Sequence, residues 1–353
     1  MSERFETPLA VIDEAVMEAN LARMAALADS AGLVLRPHAK THKSPFVAAR
    51  QLAHGAGGLT VATLREAEVF VEAGVDDILI AHPPVGEPKL RRLRELAERV
   101  RRLAVALDAV ELASGLPPGV EVLWEVDSGL HRVGTPPGDA TVRQVAALVA
   151  TAGGERFRGL TTHAGHAYSG DRERAALEER DSLTHPAGRL REGGIAVREL
   201  SVGSTPTAGF AAAGSGLTEM RPGTYVFGDA NQVALGSQRL EECALGVVAS
   251  VVSTQNGRAV LDAGSKALSA DLRAGGLNGY GIVLGRPGCR LERLSEEHAV
   301  VVGEDLPRLG ERVVVVPAHA CTTVNLHPEL LFAGPQPHWE PVSARGWRTI
   351  IAG

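Results

Sequence analysis

Eight short apolar runs bounded by turn residues lie between residues 33 and 226 of this 353-residue chain, and amphipathic stretches fill most of the gaps between them. No other feature constrains the fold as much. The runs fall at 33–36, 59–62, 78–81, 103–107, 120–126, 157–162, 199–202 and 219–226 and read as strands. The stretches at 64–73, 88–100 and 142–151 read as helices, with Glu66, Glu68 and Glu72 predicted on the outer face of the first. Eight strands with intervening helices in about 200 residues fit a (β/α)8 TIM barrel. An open doubly wound sheet fits less well, since no GxGxxG follows the first strand.

Near Leu235 the alternation stops. Short strands without clear helices are predicted at 244–253, 258–262, 298–302 and 312–317, separated by Gly and Pro clusters. The expectation is a barrel over residues 13–235 and an all-β domain over residues 236–353, with residues 1–12 contributing a strand to the second. At 44% hydrophobic and 22% charged, the composition excludes disordered, collagenous and disulfide-stapled classes. A net charge of −6 leaves no basic footprint for nucleic acid. No apolar run reaches the ~20 residues that a membrane span needs. The opening residues, MSERFE, lack the layout of a signal peptide, and Cys243, Cys289 and Cys321 are odd in number and widely spaced. A cytoplasmic enzyme with reduced thiols is expected.

Only four of the 36 basic residues are lysines: Lys40, Lys43, Lys89 and Lys266. Arginine serves wherever a generic positive charge will do, so a retained lysine points to what arginine cannot do. That is to lose a proton and act as an amine nucleophile. Lys40 and Lys43 share the segment RPHAKTHK at 36–43, directly after the first predicted strand.

The loops after the strands of a barrel open on one face, and that face carries the site. Polar clusters fall at five such positions: His38, Lys40 and His42; DSGLHRVG at 127–134, with Arg132; HAGHAY at 163–168, ending in Tyr168; GSTPT at 203–207; and RPGTY at 221–225. Their register with the strand ends indicates one active site. Gly203, Ser204 and Thr205 suit a phosphate, because glycine lets backbone N–H groups approach an anion and the hydroxyls add donors. A helix predicted at 207–213 would add its N-terminus; a plain helix cap is the alternative. A phosphate clamp, a candidate Schiff-base lysine and facing arginines together point to pyridoxal 5′-phosphate.

RPHAKTHK resembles the pyridoxal-lysine motif of the D-threonine aldolase and D-serine dehydratase family, which shares the fold type III barrel with alanine racemase. The similarity continues through HRVG at 131–134, RPGTY at 221–225, DAGSK at 262–266 and PAHAC at 317–321, in order along almost the whole chain. It implies an alanine racemase-like barrel followed by a β domain, with Lys40 carrying the cofactor and Lys43 as the runner-up. The expected cofactor-binding residues are Lys40, His38, Arg132, Tyr168, Gly203, Ser204, Thr205, Arg221, Gly223, Thr224 and Tyr225; Lys40, Arg132 and Tyr168 are the catalytic candidates. Arg132 is expected at the cofactor's 3-hydroxyl or the substrate, and Arg221 at the pyridine nitrogen or in a salt bridge.

His319 and Cys321 follow a predicted strand, where an i, i+2 spacing puts both side chains on one face. Imidazole with thiolate is a ligand set that Zn²⁺ prefers, with Mn²⁺ or Mg²⁺ as alternatives. Two protein ligands are too few for a structural zinc, so the other positions fall to water or substrate. With the family resemblance, the pair reads as a metal site.

Two reactions are open to these parts. Loss of the Cα proton and of the β-hydroxyl leads to a 2-oxo acid and ammonia. Deprotonation of the β-hydroxyl with Cα–Cβ cleavage gives glycine and an aldehyde. Cysteine as second ligand resembles the zinc-dependent D-serine and 3-hydroxyaspartate dehydratases, whereas aldolase-type members often have Asp there. Those members also tend to carry a His where Tyr168 and Ser169 stand. The reading is a lyase on D-3-hydroxy amino acids of D-serine dehydratase type, with D-threonine aldolase as the alternative. An amino-acid racemase, which would not need the metal pair, comes third. Small pyridoxal-binding homeostasis proteins, a non-enzymatic class with a related barrel, lack the β domain. A homodimer is expected, because in the alanine racemase-like architecture the partner's β domain closes the barrel mouth. Asp262, Lys266, Glu297 and His298 carry no assigned role.

Overall fold

The computed structural model describes residues 5–211, 214–271 and 273–346. They form two compact units. One takes residues up to 22, 41–44 and 224–343; the other takes 23–40, 45–223 and those from 344. The chain enters through strand β1 (Leu9–Asp13) and helix Glu14–Ala31. No described helix is long and apolar enough to cross a membrane.

The second unit holds eight parallel strands: β2 (Val34–Leu35), β3 (Leu59–Val61), β4 (Asp77–Ile80), β5 (Arg102–Leu107), β6 (Val120–Glu125), β7 (Phe157–Thr161), β8 (Glu199–Val202) and β9 (Glu219–Met220). Their order is β2-β9-β8-β7-β6-β5-β4-β3. Just beyond β2, His38 bridges Thr60 of β3 in parallel, and the Pro37 carbonyl accepts the Thr60 N–H at 2.8 Å. The sheet therefore curls back on itself, as the eight-run pattern implied. Helices Pro45–Ala53, Leu64–Glu72, Glu87–Ala97, Asp139–Ala152 and Arg172–Glu192 alternate with the strands. Every second strand residue, among them Ile78, Ile80, Val105, Val122, Trp124 and Leu160, enters the buried apolar cluster. The intervening residues face the lumen, since side chains of β5 and β8, strands that are not neighbours, meet there: Arg102 reaches Glu199 at 2.8 Å.

That lumen is mostly charged. Arg102 also binds Glu121 at 2.7 Å, and Arg158 binds Glu199 at 2.5 Å. Above them Arg36 lies between Asp77 at 2.5 Å and Glu219 at 2.6 Å. Leu79, Ala104 and Leu123 form a small separate apolar cluster among these strands.

Two expectations are corrected here. The first helix does not turn Glu66 and Glu68 outward; both are buried, and only Glu72 is exposed. Glu66 accepts the Ala62 N–H at 2.7 Å at the helix start, and Glu68 is paired in bidentate fashion with Arg92 of the next helix. The eighth run, 219–226, is strand only over Glu219–Met220. Pro222 cannot donate to a ladder, and Thr224–Val226 coil into a 3₁₀ turn.

The other unit contains β10 (Leu245–Ser253), β11 (Ala259–Leu261), β12 (Gly281–Val283), β13 (Cys289–Leu294), β14 (Ala299–Gly303), β15 (Arg312–Pro317), β16 (Glu329–Ala333) and β17 (His338–Pro341). They join β1 in one sheet of order β13-β14-β11-β10-β1-β16-β17, with β15 pairing β10 and β12. The N-terminal strand is thus part of this sheet, antiparallel to β10 and parallel to β16. Short helices Ser265–Leu268 and Ala320–Leu326, not predicted, interrupt the strands.

Replacing Arg36 with Leu leaves Glu219 buried without the cation it binds and Asp77 with only Arg101 and the more distant Arg102. Urea unfolding at neutral pH should then show a loss of about 3–5 kcal/mol, and Arg36→Lys should recover part of it.

Candidate active site

In the barrel unit the polar residues singled out in the sequence lie in loops at the C-terminal ends of strands. Lys40 sits half-buried in the single 3₁₀ turn Ala39–Thr41, its N–H 3.4 Å from His38 Nδ1. Arg132 is exposed on the loop after β6. Asp127 ties that loop down by accepting the N–H groups of Gly129 at 2.9 Å and His131 at 3.0 Å. His163 follows β7, and its Nδ1–H donates to the Gly203 carbonyl at 2.8 Å. Tyr168 ends the 3₁₀ turn Gly165–Tyr168, half-buried. Arg221 is buried and donates to Ser201 Oγ at 2.5 Å and the Thr162 carbonyl at 2.6 Å, so it pairs with neutral acceptors.

Electrostatics show that these groups converge. Burial, Lys40, Arg221 and Arg132 all depress the pKa of His38 well below the ordinary imidazole value. Burial and the same three cations push His163 down to about 3, against the bond to Gly203. Both rings are neutral at physiological pH, and His163 has its Nε2 lone pair free. The counter-group is Glu125, at the end of β6. Burial raises its pKa to about 7 although Arg221 and Arg132 pull it down. Asp108 and Asp127 add to the rise, so the two arginines face a carboxyl that is itself close to neutral.

The glycine–hydroxyl loop is built for close approach. Gly203 has φ +150°, and a Cβ there would lie 2.5 Å from the Arg221 nitrogen. The helix after it spans only Thr205–Ala208, earlier than the predicted 207–213, whose residues 212 and 213 lie outside the described residues. Ser204 makes no side-chain cap bond; its hydroxyl pairs with that of Thr207 at 2.9 Å. Gly223 belongs to this unit, whereas Thr224 and Tyr225, both buried, belong to the β-rich one.

In the β-rich unit His319 and Cys321 come together, but not on a strand. The strand β15 ends at Pro317, His319 is the N-cap residue of helix Ala320–Leu326, and Cys321 lies in its first turn. The His319 ring is hydrogen-bonded to the Cys321 thiol on one edge, while its Nδ1 meets Asp271 at 2.6 Å. Burial lowers the imidazole pKa, but Cys321, Asp229 and Asp271 outweigh it and bring it up to about 10. Asp229 also accepts the Ala320 N–H, between the two residues, at 2.9 Å. Thr41 Oγ1 lies 3.1 Å and Thr224 Oγ1 3.8 Å from the Cys321 sulfur. Among the described residues no three His, Cys, Asp or Glu side chains are grouped to hold a metal, so the pair provides two ligands at most.

The remaining candidates each have partners within the β-rich unit. Lys43 donates to Asn325 Oδ1 at 2.8 Å, and Lys266 pairs with Glu297 at 2.9 Å. Asp262 accepts the Ser250 N–H at 2.8 Å. Burial raises the pKa of Cys243 to about 12 and that of Cys289 above its ordinary value, and both thiols are free. The sequence reading did not select His163, Glu125, Thr41, Asp229 or Asp271. Of these His163 had a signal, as the first residue of a cluster already noted at a strand end, and Thr41 lay inside RPHAKTHK.

Residues 12–231 match the family model for the alanine racemase N-terminal domain, and residues 244–333 match that for a serine dehydratase domain. The D-threo-3-hydroxyaspartate dehydratase of Delftia sp. is 38% identical over 349 residues, covering 90% of this chain and 91% of that protein. The D-threonine aldolase of Arthrobacter sp. is 36% identical over 369 residues, covering 98% and 94%. A solved structure of a cysteine-to-alanine mutant of D-threo-3-hydroxyaspartate dehydratase, described as the metal-free form, aligns with TM-score 0.87 and 35% identity over 98% of this chain and 99% of that one.

Glu125 supplies a pH test. Its ordinary pKa of 4.5 rises to about 7 on folding, so the folded state holds the proton more tightly. Its contribution to stability is complete below the ordinary value and is lost as pH climbs through the folded one. Urea midpoints should therefore fall more between about pH 5 and about pH 8 for the wild type than for Glu125→Gln. Parallel curves would remove the buried-carboxyl assignment.

Proposed function

The chain belongs to the alanine racemase-like family of D-threonine aldolases and of D-serine and 3-hydroxyaspartate dehydratases, which are lyases dependent on pyridoxal phosphate, and on that premise we propose that it is a pyridoxal phosphate- and divalent metal-dependent lyase that dehydrates D-3-hydroxy amino acids and, with the water returned on hydrolysis of the resulting imine, releases a 2-oxo acid and ammonia. The observation that carries this reading is the His319–Cys321 pair, braced by Asp271 and Asp229. A racemase has no need of it.

The barrel residues fit the cofactor. The cations Lys40, Arg132 and Arg221 converge where an anion is required, and glycine at 203 lets the Arg221 backbone pack directly against the loop assigned to the phosphate. When bound, pyridoxal phosphate supplies an electron sink for negative charge developing at the substrate's Cα. Lys40 is the residue proposed to hold it, and Lys40 Nζ the base that takes the Cα proton. Gly203, Ser204 and Thr205 are assigned to the phosphate, Ser204 and Thr205 offering backbone and hydroxyl donors, with Gly223, Thr224 and Tyr225 assigned to the same role. His38 and His163, neutral imidazoles, add no charge of their own. Arg132 is proposed at the 3-hydroxyl or the substrate, Arg221 at the pyridine nitrogen, and Tyr168 as a proton-handling partner of Lys40.

His319 and Cys321 fit a borderline-soft cation, for which Zn²⁺ is the proposed choice and Mn²⁺ or Mg²⁺ the substitutes. They would bind it in place of the proton they share. Asp271 fixes Nδ1, so Nε2 is the ligating nitrogen. Two protein ligands leave positions for water and for the substrate's β-hydroxyl, which is the layout of a catalytic centre. The thiolate ligand favours the dehydratase branch, and 38% identity to a dehydratase agrees with it. Aldolase cleavage is the second reading, favoured by 36% identity to a D-threonine aldolase over nearly the full chain. A cytoplasmic homodimer is proposed, which sedimentation at micromolar concentration will test.

The purified protein should be yellow, and borohydride reduction followed by peptide mapping should label Lys40. A label on Lys43 would overturn that assignment. Chelation, or Cys321→Ala, should abolish lyase activity while the colour stays, and Zn²⁺ should restore only the chelated wild type. D-Serine should give pyruvate and ammonia; glycine and acetaldehyde from D-threonine, with no ammonia from D-serine, would select the aldolase. Activity that persists through exhaustive chelation would remove the metal from the mechanism.

A further inference from the structure

Helix Arg172–Glu192 carries a run of charges, Glu178-Glu179-Arg180-Asp181, and one of them is turned inward. Glu179 is 2% exposed, and it enters no ion pair among the described residues. Its Oε1 instead accepts the backbone N–H of Ala164 at 2.9 Å and that of Gly203 at 3.1 Å, and its carboxylate also bonds the Thr207 hydroxyl. These partners belong to two loops, one after β7 and one after β8. Burying a carboxylate is costly unless its surroundings hydrogen-bond it, and here every bond goes to a loop of the candidate site.

The bonds form a chain. Glu179 holds the Gly203 N–H, and the Gly203 carbonyl receives the proton of His163 Nδ1 at 2.8 Å. Gly203 has little freedom to respond otherwise, because its α-carbon faces the Arg221 backbone at a distance no Cβ could occupy. On its other side Arg221 N–H is bound to the Val202 carbonyl at 2.8 Å. The Val202–Gly203 peptide is thus held between a carboxylate and a strand, and the next peptide, built on the same constrained Gly203, presents the carbonyl that selects the Nδ1–H tautomer of His163.

We propose that Glu179 is a positioning residue that locks the loops after β7 and β8 together, fixing both the tautomer of His163 and the backbone donors of Ser204 and Thr205. This rests on the reading that those donors take the phosphate of the cofactor. Glutamine keeps an oxygen able to accept both N–H groups, whereas alanine leaves both buried and unpaired. Aspartate keeps the charge but draws the acceptor back by one methylene.

The test compares wild type, E179Q, E179D and E179A with two readouts: the dissociation constant for pyridoxal phosphate by visible absorbance, and the ¹⁵N shifts of the His163 ring. E179Q should match the wild type in both. E179A should bind pyridoxal phosphate about tenfold more weakly or worse, one unpaired donor being enough for that factor, and its His163 should become a mixture of tautomers. E179D should lie between, which keeps the test available if E179A does not fold. Folded E179A or E179D with wild-type affinity and an unchanged His163 tautomer would overturn the proposal, as would E179Q behaving like E179A. If the wild type itself binds no pyridoxal phosphate, the proposed function fails, and the His163 signal in the cofactor-free protein still decides the role of Glu179.

Discussion

A single buried guanidinium organises the barrel. Arg36 is 3% exposed and is held by Asp77 of β4 on one side and Glu219 of β9 on the other. Glu219 also accepts the Ser201 hydroxyl at 2.5 Å, and Ser201 in turn accepts a bond from Arg221. The two arginines at the heads of RPHAKTHK and RPGTY are thereby connected through two intermediates inside the lumen. Both are followed by proline. Proline has no N–H, so each strand ends there, but each proline carbonyl still accepts: Pro37 from Thr60 at 2.8 Å and Pro222 from His38 at 3.0 Å. The positions of Lys40 and Arg221 thus follow from one charge network and two prolines. A lumen filled with apolar side chains would be simpler to assemble. An ionic one breaks at high cost when any member is lost, which specifies the register of the strands that carry the site.

Three histidines show how far the two units differ electrically. His38 and His163 lie among cations and are held neutral, whereas His319 lies among Cys321, Asp229 and Asp271 and is held protonated up to about 10. One environment attracts an anion and the other a cation. The residue type is the same, so the difference comes from which charges the fold gathers around each ring.

Much of this was legible in the sequence because it depends on short-range pattern. Apolar runs mark strands, and polar residues just after them mark the site of a barrel, which is how Lys40, Arg132, Gly203 and Arg221 could be selected. What the pattern does not report is which helix face meets another helix. Glu66 and Glu68 look solvent-facing on a helical wheel and are buried because a cap and Arg92 receive them. Glu179 is hidden in the same way, inside a charged run that reads as a solvated surface. The strands β13 and β17 escaped because half their residues are polar and neither forms an apolar run. His319 and Cys321 were found through a motif while the geometry expected of them was wrong, because a proline-terminated strand turns at once into a helix.

The density of RPHAKTHK has a physical explanation in the separate duties of its members. Arg36 binds in the lumen, Pro37 closes the sheet, and His38 bridges to β3. Lys40 closes the barrel unit's share of the segment. With Thr41 the chain joins the β-rich unit, where that hydroxyl meets the Cys321 thiol and Lys43 holds Asn325 on the helix bearing Cys321. His42 is fully buried, with Nδ1 taking the Ser44 N–H at 3.1 Å, and so stiffens the turn between them. Lys43 has φ +49°, an uncommon backbone state for a residue with a Cβ, and its amine is engaged in that unit. The two lysines are three residues apart yet not interchangeable. Lys43 is tied to the helix that bears Cys321, while Lys40, between the bridge at His38 and the contact at Thr41, is placed by both neighbours.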